Sequence, residues 1–115
     1  MKILKLNFIV KRNKGSDKDI SITTTGEKTV YIVFRNNSDR RISRTGFITV
    51  AIFGERLYFK GTDKFLGYKI RSQKSKSTVC TSITNGDLYK WAVNHSGDYS
   101  LMLDKENKLY YVDTE

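Results

Sequence analysis

Apolar side chains recur at every second position over most of the chain, and this periodicity most narrowly limits its fold. In "TVYIVFR" (29–35), Val30, Ile32 and Phe34 share one face of an extended strand, and Tyr31 and Val33 share the other. "KILKLNFIVK" (2–11) repeats the pattern with Leu4, Leu6, Phe8 and Val10. Further strands are read in "ISITTT", "FITVAIF", "RLYFK", "YKIRS", "TVCTSI", "DYSLML" and "KLYYVD". "RNKGSDKD", "TGEK", "RNNSDRR", "GTDKFLG" and "QKSKS" read as the loops between them, and "RISRTG" as a strand end or turn. "DKEN" reads as the four-residue polar loop of a last hairpin.

One stretch departs from period 2. In "TNGDLYKWAVNHS" (84–96), Leu88, Trp91, Ala92 and His95 fall on one helical face. Thr84 and Asp87 suggest a capping box, and Gly97 a stop. A helix of about three turns is too short to stand alone, so it must pack on the sheet. "GERLYFKGTDKFLGYKI" and "GDYSLMLDKENKLYYV" share an order of Gly, acid, strand, Asp-Lys turn and strand. They are either one repeated unit or two ordinary hairpins.

The chain has 115 residues, no proline and no Gly/Ser-rich linker, so residues 1–115 are read as a single β-rich domain. The expected fold class is mainly β, a compact antiparallel β barrel or rolled sheet with one short α-helix. Core candidates are Leu4, Leu6, Phe8, Val10, Val30, Ile32, Phe34, Ile48, Val50, Leu88, Trp91, Leu101, Leu103, Tyr110 and Val112.

Charge is the feature that bears most on function. The net charge is +9, and it is uneven. Residues 1–78 hold 18 basic and 6 acidic side chains, whereas residues 79–115 hold 3 and 6. Arg40, Arg41, Arg44, Arg56, Lys60, Lys69, Arg71, Lys74 and Lys76 lie in one window, interleaved with Tyr58, Phe59, Phe65 and Tyr68. Lys and Arg neutralise phosphates, and exposed aromatics stack on unpaired bases. The same cations can also serve only to solubilise strand edges.

The sequence offers no catalytic constellation. His95 is the single histidine and Cys80 the single cysteine, too few for a zinc site of the usual kind. His95 reads as a packing or helix-capping residue, and Cys80 as a small hydrophobe. No glycine-rich phosphate loop is present. Asp104 and Glu106 read as turn residues rather than paired carboxylates. The chain is therefore read as non-enzymatic, without metal or other cofactor. It shows no signal peptide and no apolar run of membrane-spanning length, which suggests a soluble, cytoplasmic protein.

Two segments, "RISRTGFITV" (41–50) and "STVCTSITNGDLYKWAVNHSGDYSLMLDKENKLYYV" (77–112), resemble the swapped-hairpin domain of AbrB-type transition-state regulators and antitoxins. The first has a basic residue, a Gly and an Ile-Thr-hydrophobic run. In the second, Gly97-Asp98 stands where that family ends its helix and opens its last hairpin. The resemblance implies a homodimer that binds DNA through arginines of the opening strands. The chain departs from the family in lacking proline after the opening strand and in the 26 residues (51–76) between the two segments. The leading expectation is a small nucleic-acid-binding protein, regulatory or accessory, contacting phosphate through the nine cations named above. The alternative is a non-enzymatic protein-interaction module, of phage or mobile-element origin.

Overall fold

The computed structural model describes residues 18–72 and 78–115. In chain order its elements are β1 (Ile20–Thr25), β2 (Thr29–Phe34), α1 (Ser38–Ile42), β3 (Phe47–Phe53), β4 (Arg56–Thr62), β5 (Tyr68–Lys69), β6 (Arg71–Ser72), β7 (Val79–Thr84), α2 (Gly86–Val93), β8 (Gly97–Tyr99), β9 (Met102–Asp104) and β10 (Leu109–Asp113). They form two five-stranded sheets, ordered β6-β7-β2-β1-β8 and β5-β3-β4-β10-β9. Every pairing is antiparallel. The fold is mainly β, as the alternation predicts.

The two sheets are joined by strands that change sheet midway. Lys69 pairs with Phe47 in the second sheet, while Arg71 pairs with Cys80 in the first. Tyr99 pairs with Ile20 in the first sheet, while Met102 pairs with Tyr111 in the second. "YKIRS" and "DYSLML", each expected as one strand, therefore bend at Ile70 and at Ser100–Leu101. Each edge of one sheet continues into an edge of the other, as at the corners of a rolled sheet.

Alternation explains what fills the roll. Ile20, Ile22, Val30, Ile32, Phe34 and Ile83 point inward from the first sheet, and Ile48, Leu57, Phe59 and Val112 from the second. Phe34 and Phe59 meet edge-on between the layers, with ring centroids 6.0 Å apart. Each such side chain contributes about 1.5–3 kcal/mol by leaving water. Of the core candidates, Val30, Ile32, Phe34, Ile48, Leu88, Leu101 and Val112 are buried, and Val50, Trp91 and Tyr110 pack against them half-buried. Leu103 does not belong to the core. It lies on the edge strand β9 and is 47% exposed. Leu4, Leu6, Phe8 and Val10 lie outside the described residues.

A helix closes each end of the roll. At one end, α2 buries Leu88 and Ala92. Asn85 is its N-cap, accepting from the Leu88 amide at 3.0 Å. The expected cap, Thr84, instead shares a hydroxyl contact of 3.1 Å with Thr29 across the sheet. The helix ends at Val93, before Gly97, which opens β8. Trp91 Nε1 donates to the Gly54 carbonyl at 2.8 Å, and Tyr89 Oη to the Gly26 carbonyl at 3.4 Å. The helix is thus fastened to the β3–β4 and β1–β2 turns. His95 completes the clasp, with Nδ1 2.6 Å from the Trp91 carbonyl and Nε2 2.6 Å from Glu55. Both partners are acceptors, so both ring nitrogens donate when the imidazole is protonated. The ring also stacks on Trp91 at 4.3 Å. The capping reading of His95 is what the structure shows.

At the other end lies α1, inside "RNNSDRR" and "RISRTG", which the sequence reads as a loop and as a strand end or turn. Asn36 and Asn37 adopt φ values of 57° and 58°, turning the chain sharply out of β2. The helix packs on β4 at Gly61, where a Cβ would lie 2.9 Å from the Ile42 carbonyl oxygen and 3.0 Å from Ser43 Cα. Only glycine lets the two backbones approach so closely. Asp19 holds this end together. Its carboxylate accepts from the Leu101 amide at 3.0 Å and from Asn36 at 3.1 Å, and faces Arg41 at 3.4 Å.

The similarity between the segments beginning at Gly54 and Gly97 is not repeated in the fold. β4 and β5 both pair with β3, whereas β9 and β10 pair with each other. The second segment contains the hairpin expected across "DKEN", β9–β10, whereas the first forms none, since β5 pairs with β3 and not with β4. Among the described residues, no helix is long and apolar enough to cross a membrane.

Candidate nucleic-acid interface

The outer face of the β5-β3-β4-β10-β9 sheet follows from the register. Since Leu57 and Phe59 point inward, Arg56, Tyr58 and Lys60 point outward. The same alternation turns Phe47, Thr49, Ala51 and Phe53 outward on β3, and Leu109, Tyr111 and Asp113 on β10. Ala51 pairs with Tyr58, Tyr58 with Tyr111, and Tyr111 with Met102, so one row crosses four strands. Phe53 and Arg56 form the neighbouring row with Asp113.

This face is rich in rings. Tyr58 and Tyr111 lie 5.3 Å apart between centroids, and Phe53 meets Tyr58 edge-on at 6.5 Å. The Arg56 guanidinium covers Tyr111 at 4.5 Å and pairs with Asp113 at 3.4 Å. The Tyr58 hydroxyl, 3.3 Å away, holds Arg56 more firmly protonated. Asp104 is held below its usual range by the Asn107 side chain and amide, with help from Tyr58 and the Glu106 amide. Phe53 remains 71% exposed and Met102 48%. Beyond Met102 and Tyr111 the face dips into a cleft of about 290 Å³, lined also by Lys18, Asp98, Tyr99, Ser100 and Asp113.

The basic residues expected at the site do not share one face. Arg56, Lys60 and Lys69 lie on the outer face just described. Arg40 and Arg41 lie on α1, and Arg44 follows it. Lys69 pairs with Phe47, three residues past Arg44, and Lys60 pairs with Thr49. Lys60 and Lys69 therefore lie on the outer face towards the end of the second sheet where α1 packs, and Arg40 and Arg44 lie on and just after α1 at that same end. Arg71 lies past the Ile70 bend on the other sheet, paired with Cys80. Arg41 and Arg56 are engaged by Asp19 and Asp113. Among the described residues no ion pair includes Arg40, Arg44, Lys60, Lys69 or Arg71. Lys74 and Lys76 lie outside the described residues.

The aromatics also redistribute. Phe59 belongs to the core, and Tyr68 faces the same side as inward Ile48. Phe65 is 83% exposed in the β4–β5 loop, with Lys64 Nζ 5.1 Å from its ring. Phe53 and Tyr111 were not among the expected stacking residues. For Tyr111 the signal was present, one position from buried Val112; for Phe53 it was weak, because its neighbour Ile52 is itself 40% exposed. Among the described residues no group of three or more His, Cys, Asp or Glu side chains could hold a metal ion. In comparisons with known proteins, no family model, no curated protein and no solved structure matches the chain.

Proposed function

We propose that the protein binds nucleic acid through the α1 end of the roll and the adjoining outer face of the second sheet. The observation that carries this reading is that Arg40, Arg44, Lys60 and Lys69, all towards the α1 end of the roll, are in no ion pair with a described acidic side chain. Cations that are not already neutralised can replace condensed counterions on a phosphate backbone. Arg40 lies on a helix and Lys60 and Lys69 on strands, so little backbone ordering is needed there on binding. The resemblance to AbrB-type regulators supports the same class of partner.

The test is the salt dependence of binding to a labelled DNA oligonucleotide. Affinity should fall steeply and linearly on logarithmic axes. Replacing Arg40, Arg44, Lys60 and Lys69 together by Ala should flatten the slope by roughly 3, at about 0.7–0.9 per lost phosphate contact. Absence of binding at low salt would refute the reading. An unchanged slope in the variant would move the interface elsewhere.

A further inference from the structure

Resting on that reading, we infer that the preferred ligand is single-stranded nucleic acid, with unpaired bases seated against exposed Phe53 and the Tyr58–Tyr111 ring pair beside it. The phosphate-binding cations explain attraction to any polyanion. They do not explain why a β-sheet should leave a Phe at 71% exposure beside two tyrosines and a methionine. Exposed aromatic rings offer bases a π-surface that a duplex, with its bases stacked inside, cannot use. Arg56, over Tyr111 at 4.5 Å, adds a guanidinium of the kind on which bases stack.

Charge placement favours this occupant over an apolar protein surface. Lys60 stands on the same strand and outward face as Tyr58, and Lys69 stands two strands away on that face. The two acids of the face are already engaged, Asp113 by Arg56 and Asp104 by its own turn and Tyr58. A strand whose phosphates follow Lys60 and Lys69 can lay its bases towards Phe53 and Tyr58. The 290 Å³ cleft beyond Met102 is large enough for one further base.

Three ligands of equal length and label separate the possibilities in fluorescence anisotropy: a thymidine single strand, the corresponding duplex and an abasic single strand. The thymidine strand should bind at least tenfold more tightly than either of the others. F53A should weaken thymidine-strand binding about 5- to 100-fold, leave abasic binding unchanged and leave the salt slope intact. Phe53 is on the surface, so an unchanged thermal unfolding profile certifies the variant's fold. K60A should flatten the salt slope for all three ligands. Equal binding of thymidine and abasic strands, or of strand and duplex, would overturn the inference while leaving phosphate binding standing. Binding of none at low salt would overturn both.

Discussion

Replacing Asp19 by Ala should loosen the α1 end while leaving the rest of the roll in place. Three donors lose their acceptor: the Leu101 amide, the Asn36 side chain and Arg41. The Leu101 amide matters most, because Leu101 is buried at the second bend and a charge-assisted bond to an amide is worth about 1.5–3 kcal/mol. Arg41 is 44% exposed, so solvent screening limits its pair to about 0.2–1 kcal/mol. The Asn36 bond is exposed and adds a few tenths. The sum is a destabilisation of about 2–4 kcal/mol. In urea, with a slope near 2 kcal/mol/M, the midpoint should fall by about 1–2 M with the slope unchanged. D19N keeps an acceptor for Leu101 and should recover part of the loss.

The same substitution has a pH signature. Burial pushes the Asp19 carboxyl up, but the Leu101 amide, Asn36 and Arg41 outweigh it, so the group sits below its ordinary 3.8. A depressed carboxyl stabilises fully above its unfolded value and loses that contribution as pH falls through the folded one. The wild-type and D19A curves should therefore converge in acid. A loss under about 0.5 kcal/mol at neutral pH, or a gap that persists unchanged into acid, would refute the role given to Asp19.

The α2 clasp should respond in the opposite sense. The Trp91 carbonyl raises the His95 pKa above 6.5, burial opposes this, and Glu55 adds to the rise. Its stabilising contribution is thus complete below 6.5 and fades as pH climbs through the folded value. The stability advantage of wild type over H95Q should shrink with rising pH, and Trp91 fluorescence should report the same transition; a pH-independent difference would contradict the doubly donating imidazolium. At Gly61, an Ala substitution should cost about 1–3 kcal/mol in chemical denaturation, because the added methyl meets backbone rather than a flexible side chain. Ala at Gly86, which has open space around it, should be neutral or up to about 1 kcal/mol stabilising, and serves as the control.

The elements legible in the sequence are those whose signal is local. β2 and β4 alternate, β1, β3 and β7 are short β-branched or apolar runs bounded by turns, and α2 shows its buried stripe at Leu88 and Ala92. The bends at Ile70 and Ser100–Leu101 were not legible, because alternation tells which way a side chain points and not which sheet its strand joins. α1 was missed for another reason. Its five residues are too few to show a helical period, and Asn37 precedes it in a left-handed conformation without a side-chain cap. The cations divided on a similar principle. Their positions were visible, but the engagement of Arg41 by Asp19 and of Arg56 by Asp113 depends on partners 22 and 57 residues away in sequence. Tyr58 was legible as a candidate stacking residue but its facing was not; Phe53 and Tyr111 meet it only through strand pairing.

The closure of the roll also dictates an order of events during synthesis. β1 needs β8 to complete its pairing, and Ser21 bonds to Asp98, 77 residues later. β4 has β3 at once but waits for β10, which begins at Leu109. A nascent chain can therefore form the β1–β2 and β3–β4 hairpins early, yet each keeps an unpaired edge until the last strands leave the ribosome. Contacts of such long separation slow folding and prolong the time spent with open edges. The interval between the emergence of β4 and that of β10 is when this chain is most exposed to misassembly.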